Sequence, residues 1–166
     1  MYWCGEWSAR WPMLSLCPCF RVVEIQIQTT LEGIMPAALT GFFEGWPNPP
    51  TPETLWRILS GASHRALAVE EGQVTGFVYA ISDGVLSAYI PLLEVRAQWR
   101  GQSIASQLVE NLLAQLDGLY MIDTACDDDL VPFYERFGMM RGNAMVRRDY
   151  AGQSGKDGVL DGDHLN

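Results

Sequence analysis

Basic side chains are scarce in this chain: 11 Lys and Arg stand against 20 Asp and Glu, for a formal charge of -9 over 166 residues. Such a charge repels the phosphates of nucleic acid and of an anionic membrane surface, and no basic patch offsets it. No apolar run reaches the length needed to span a bilayer. The four cysteines, Cys4, Cys17, Cys19 and Cys126, make no metal-ligand spacing and read as free thiols of a cytoplasmic protein. Both histidines are poorly placed for catalysis, His64 at a strand entrance and His164 in the C-terminal tail. With no internal repeat, what remains is one globular domain, large enough for a stable core without staples.

Residues 20–150 carry that domain. Residues 1–19 read as an extension that is disordered or belongs to a misassigned start. Trp3, Trp7 and Trp11 have helical spacing, but Gly5, Pro12 and Pro18 interrupt it, and no basic start precedes an apolar run as in a signal peptide. The Gly- and Asp-rich stretch 151–166 reads as a disordered tail.

Within the domain, residues 20–28 alternate Val22, Glu24, Gln26 against Val23, Ile25, Ile27, as in a half-buried first strand. A helix is expected over 31–43, although Pro36 and Gly41 weaken it. Thr51-Pro52-Glu53 is a helix start with an N-cap and a proline in the first turn, Leu55, Ile58 and Leu59 form its apolar face, and Gly61 is its stop. Residues 65–70, 74–81 and 85–95 then read as a three-strand meander, turning at Glu71-Gly72-Gln73 and Ser82-Asp83-Gly84. Pro91 within the third strand would break a ladder bond, which predicts a bulge or an edge. Residues 120–126 read as a further strand, 130–139 as a helix and 144–148 as a closing strand.

Arg100-Gly101-Gln102-Ser103-Ile104-Ala105 is the most informative stretch. It joins the third meander strand to a helix whose Ile104, Ala105, Leu108, Val109, Leu112, Leu113 and Leu116 share one face. The first N–H groups of such a helix lack intrahelical acceptors and, with the helix dipole, suit an anion such as phosphate. Arg100 would add a charged clamp. A Walker loop is excluded, because no Gly-Lys-Ser/Thr is present, and so is a dinucleotide fingerprint, which needs three spaced glycines early in the fold. A blander alternative is that Ser103 only caps a core helix.

The stretch from Val95 to Ala105 resembles the acyl-CoA-binding motif of the GNAT superfamily of N-acetyltransferases, Gln/Arg-x-x-Gly-x-Gly/Ala, with Arg100 and Ala105 matching its ends. Phe133-Tyr134-Glu135-Arg136-Phe137-Gly138-Met139 resembles that family's Phe-Tyr-x-x-x-Gly-Phe helix. The resemblance implies an α/β fold in which a central mixed, mostly antiparallel sheet is flanked by helices, with one strand splayed to admit the cofactor's pantetheine arm. Acetyl-CoA is the implied co-substrate, without a metal, and its acetyl group would pass directly to a primary amine in a ternary complex. Leu93, Val95, Arg100, Gly101, Gln102, Ser103, Ile104 and Ala105 would hold the cofactor. Ser103 stands where the family usually has its first glycine. Asp127 stands where many members have a CoA-contacting asparagine, an anion where the ligand is itself anionic.

Tyr134 falls on the family's usual general-acid position, and a tyrosine hydroxyl there could protonate the departing thiolate. Backbone N–H groups of the splayed strand would stabilise the oxyanion. Glu94, on that strand, is the candidate base through a water molecule, an assignment made from its position rather than from the family. Tyr89 is a candidate acceptor contact. The acidic balance favours a cationic small-molecule or peptide amine, with Glu44, Asp83, Glu94 and Asp127-Asp128-Asp129 available to line its cleft and no nucleic acid or membrane as partner. The Asp run also suits a negative first helical turn. Residues 45–50, Gly-Trp-Pro-Asn-Pro-Pro, could wall the acceptor pocket or merely connect two helices. A homodimer is compatible with all of this. The rival reading is a non-catalytic acyl-CoA-binding regulatory module, against which Tyr134 stands.

Overall fold

The structure, a computed structural model, describes residues 25–155. Five strands form one sheet in sequential order: β1 (Gln26–Gln28), β2 (His64–Glu70), β3 (Gln73–Ser82), β4 (Ser87–Val95) and β5 (Met121–Thr124). The first four pair antiparallel, while β4 and β5 run parallel. The helices are α1 (Pro52–Gly61), α2 (Ile104–Gln115) and the short α3 (Val131–Glu135). This is the mixed, mostly antiparallel sheet flanked by helices that the sequence implies.

The two sheet faces differ in side-chain size, and that difference sorts the helices. Ala66, Ala68, Ala80 and Ala88 lie buried on one face with Val78 and Ile90, where small side chains let α2 approach through Ile104, Leu108, Leu112 and Leu116. Gly76 completes this fit, since a Cβ there would lie 3.1 Å from the Leu108 side chain and from the Glu94 carbonyl oxygen. Leu67, Phe77 and Tyr79 project from the other face onto α1 and residues 34–43. Leu55 and Leu59 of α1 are fully buried there, and Phe42 meets Phe77 edge-on at 4.9 Å. α1 starts where its local signals put it: Thr51 Oγ1 accepts from the Thr54 N–H, Pro52 follows, and Gly61 ends the helix.

The meander also forms as its turns require. Glu71 and Gly72 both have positive φ, 48° and 77°, as a tight hairpin demands. At the next turn Asp83 Oδ1 accepts from the N–H groups of Val85, Leu86 and Ser87, and Oδ2 accepts from the Ser87 hydroxyl. These bonds hold the Asp83 carboxyl well below the ordinary aspartate range.

Three expected elements differ. Residues 31–43 form no α-helix but a single 3-10 turn, Pro36–Leu39. Pro36 drives Met35 into an extended conformation and Thr40 leaves the turn extended, so helical backbone cannot continue on either side. The segment is nonetheless core, with Ile34, Leu39, Phe42 and Phe43 buried. The expected closing strand 144–148 does not form: Met145 and Val146 are exposed, and β5 remains the sheet edge. Its apolar residues do not alternate, so no single face would be buried by pairing. The helix expected over 130–139 is shorter, a 3-10 turn Asp128–Leu130 followed by α3. Of the first strand, residues 20–24 lie outside the described residues, as do 1–19 with their tryptophans. Of the stretch 151–166 read as a tail, residues 156–166 lie outside the described residues; a turn, Tyr150–Gly152, leads into the rest, and Gln153 Oε1 accepts from the Asn48 N–H.

Among the described residues no helix is long and apolar enough to cross a membrane.

The depressed Asp83 carboxyl favours the folded state when ionised. Its contribution is present above the unfolded-state value near 3.8 and is lost as the pH falls through the lower folded-state value. Asp83→Ala is therefore expected to lower the melting temperature at pH 7, with the gap to wild type narrowing as the solution is acidified below about 3.8; a gap independent of pH would contradict this role.

Candidate active site

β4 and β5 stay paired only over Ser87–Ile90 and Met121–Thr124. The last pair is Ile90 with Thr124, and the Thr124 hydroxyl donates to the Ile90 carbonyl at 3.0 Å, closing the fork. Beyond it, residues 91–95 have no β5 partner. The strand register locates the cause. Tyr79 pairs with Leu92 and Ile81 with Tyr89, so two steps on β3 face three on β4, and the extra residue falls at Ile90-Pro91. Proline lacks the N–H that a regular pair would use, which makes this the position of least cost for a bulge. The bulge inverts the alternation: Ala88 and Ile90 face α2 before it, Leu93 and Val95 after it. Leu92 turns to the opposite face, toward α1, and Glu94 follows it there toward Phe43.

Tyr134 sits at the fork. It is buried, beside Thr124 and Cys126, and packs edge-on against Phe133 at 5.0 Å. Burial pushes its hydroxyl above the ordinary tyrosine range; a hydrogen bond with Thr124 pulls the other way and Cys126 adds to the rise. A phenol in this setting keeps its proton at neutral pH and has one to donate.

Glu94 Oε1 accepts the Phe43 N–H at 2.6 Å. Phe43 has φ 64°, a left-handed conformation rare for a bulky residue, and its buried ring packs at 5.1 Å from Trp46 and 6.2 Å from Phe77. Burial raises the Glu94 carboxyl above its ordinary value; the Phe43 N–H and Arg100 oppose this and Glu44 reinforces it. Arg96 ties the same loop down, donating to the Ala38 carbonyl at 2.9 Å with its guanidinium 5.2 Å from the Phe42 ring centre.

At the far end of the splayed strand lies a cleft of about 330 Å³. Val95, Arg100, Gly101, Ser103, Ile104 and Ala105 line it, as the motif implies, and Trp99, Ser106, Phe133 and Arg136 complete it. Ser103 has φ 61° and ψ 11°, the left-handed region, and makes no side-chain cap. It is therefore not a capping serine: it takes the backbone of a glycine in a turn that aims α2 at the cleft. Its carbonyl accepts from Gln107, so the N–H groups of Ile104, Ala105 and Ser106 have no acceptor within the helix. Arg100 Nε donates to the Val95 carbonyl at 3.0 Å, and Nη2 is 3.9 Å from Glu44 Oε2, a weak exposed pair.

Not every expected residue joins this constellation. Gln102 is exposed and outside the cleft lining, Leu93 packs into the core under α2, and exposed Asp127 starts the 3-10 turn through its carbonyl without lining the cleft. Four residues given no site role from sequence do join it, Trp99, Ser106, Phe133 and Arg136. Arg136 lies over the Phe133 and Phe137 rings at 5.0 and 5.8 Å, and Ser106 accepts from its Nη2 at 3.4 Å. The i, i+3, i+4 spacing of Phe133, Arg136 and Phe137 was the available signal. Among the described residues no group of His, Cys, Asp or Glu could hold a metal ion.

A family model described as the acetyltransferase (GNAT) family matches residues 31–139. The chain belongs to this family. A protein from Deinococcus radiodurans R1, assigned as an acetyltransferase, has a crystal structure 60% identical to this chain. The match covers 81% of this chain and 94% of that one, with a TM-score of 0.79. A GNAT-assigned protein from Xanthomonas campestris pv. campestris is 19% identical over 80% and 98% of the two chains, TM-score 0.65, and an aminoglycoside N-acetyltransferase solved with CoA is 12% identical over 79% and 97%, TM-score 0.54. At such identities these two share the fold alone. No curated protein matches. The chain is thus an acetyl-CoA-dependent acetyltransferase, as the residues of its turn and short helix imply. The left-handed turn, the free N–H groups of α2 and Arg100 on one cleft are a donor set that fits a pyrophosphate.

Because Ser103 occupies a conformation that glycine adopts without steric cost, Ser103→Gly is expected to stabilise this acetyltransferase by about 1 kcal/mol, read by urea denaturation. A loss of stability would mean that the hydroxyl contributes a bond that outweighs the strain.

Proposed function

We propose that this acetyltransferase moves an acetyl group from acetyl-CoA directly to a primary amine of a cationic small molecule or peptide, within a ternary complex in the cytoplasm. The observation that carries the reading is the fork itself: a strand freed from its neighbour at Ile90, a buried phenol at the point of parting and an anion-binding turn at the other end. Leu93 and Val95 would border the pantetheine arm through their backbone. The turn Arg100 to Ala105 would take the pyrophosphate, with Gln102 at its rim, and Asp127 is the least favourable member of the set because of its charge.

Each step then falls to a residue. Glu94 accepts the amine proton through water, its raised proton affinity suiting it to that task. The β4 backbone beyond Ile90 offers N–H groups to the carbonyl oxygen under attack. Tyr134 protonates the sulfur as the C–S bond breaks, so that the amide and free CoA leave. On the acceptor side, a groove of about 300 Å³ contains Tyr89 and Asp123, the strand pair just before the fork, together with Asp83. Its carboxylates and those of Glu44 and Glu94 support a cationic acceptor.

Tyr134→Phe is expected to lower kcat by about 100-fold while acetyl-CoA affinity changes little. A variant with wild-type turnover would exclude Tyr134 as the acid. Glu94→Gln should abolish the rise in kcat that accompanies loss of the Glu94 proton, above the ordinary glutamate value of 4.5. A pH profile identical to wild type would assign the proton to water alone.

A further inference from the structure

We propose that Arg136 binds the 3′-phosphate on the ribose of CoA, so that the cleft meets the cofactor's two anionic groups with two separate cations. This rests on the cleft being the cofactor site. CoA carries an internal pyrophosphate and a terminal phosphomonoester, which is the more highly charged single phosphate at neutral pH. The first turn of α2 and Arg100 supply donors for one of them. Arg136 reaches the same cleft from the segment that follows α3, facing Ser106 of α2.

The setting of Arg136 is that of a cation held ready rather than one already neutralised. Its guanidinium lies over the Phe133 and Phe137 rings, which fix its plane. Its own hydrogen bonds are long, 3.5 Å to the Phe133 carbonyl and 3.4 Å to Ser106 Oγ. Among the described residues it makes no ion pair, whereas Arg100 faces Glu44 and Arg141 is bound to Asp128 at 3.0 Å. Acids are abundant in this chain, so an arginine on a ligand cleft without a carboxylate partner is reserved for an anion from outside. A planar guanidinium with free edge donors matches the oxygens of a phosphomonoester in a way that an ammonium does not. The Ser106 hydroxyl can turn to donate to the same oxygens.

The test compares CoA with 3′-dephospho-CoA by calorimetry on the wild type, Arg136→Gln and Arg136→Lys. The wild type is expected to bind CoA about tenfold more tightly than dephospho-CoA, as one charge-assisted contact implies. Arg136→Gln should lose that factor for CoA and leave dephospho-CoA affinity unchanged, and Arg136→Lys should keep part of it. Equal losses for the two ligands, or no loss for either, would overturn the assignment while leaving the cofactor cleft intact. A wild type that bound neither ligand would instead overturn the cleft as the cofactor site, and the role of Arg136 with it.

Discussion

The parting of β4 from β5 after Ile90 and Thr124 is the constraint on which the rest of this molecule depends. Parallel strands gain by continuing their ladder, and leaving a strand unpaired in the middle of a domain exposes backbone groups that need partners. Here the ladder is stopped from within. The extra residue at Ile90-Pro91 puts the following residues out of phase with β5, and proline has no N–H to offer at that point. The Thr124 hydroxyl bonds to the Ile90 carbonyl at the mouth of the gap. The opening is thus built into the covalent chain and does not have to be forced by a ligand.

One inserted residue has consequences on both faces. Had β4 continued in phase beyond Ile90, Leu93 and Val95 would have pointed away from α2, and Glu94 toward its apolar face. The bulge instead keeps Leu93 and Val95 under α2 and sends Glu94 across the sheet to Phe43. There the carboxylate finds a backbone N–H presented by a residue in a strained conformation, and the strain is held by the buried packing of Phe42 and Phe43 on Phe77. Ser103, beyond the same C-terminal end of β4, stores a similar strain. Both strained residues flank the proposed reaction path, where rigid backbone donors are of most use.

Elements whose signals are local were legible in the sequence. Thr51-Pro52 and Gly61 bracket α1, the two turns set the meander, the periodicity of residues 104–116 defines α2, and Pro91 marks the bulge. Residues 31–43 were misread because their apolar content reports burial, and burial does not require helix; the extended conformations of Met35 and Thr40 decide the matter. Residues 144–148 form no closing strand because their apolar residues do not alternate, a pattern that specifies no register. Within the site, the turn and Tyr134 could be found because contiguous motifs carry them. The contact of Arg136 with Ser106 joins residues 30 apart in sequence and could emerge only once α2 and α3 were packed.

Electrostatics links the two halves of the site. In a chain of formal charge -9, a polyanionic ligand gains nothing from the overall field and must be met by cations placed locally. Arg100 lines the cleft, lies near Glu44 and lowers the proton affinity of Glu94, while Glu44 raises it. An anion that drew the Arg100 guanidinium into the cleft would loosen its hold on both carboxylates. Glu94 would then hold a proton more strongly. The exposed 3.9 Å pair is weak, so Arg100 is not locked to Glu44.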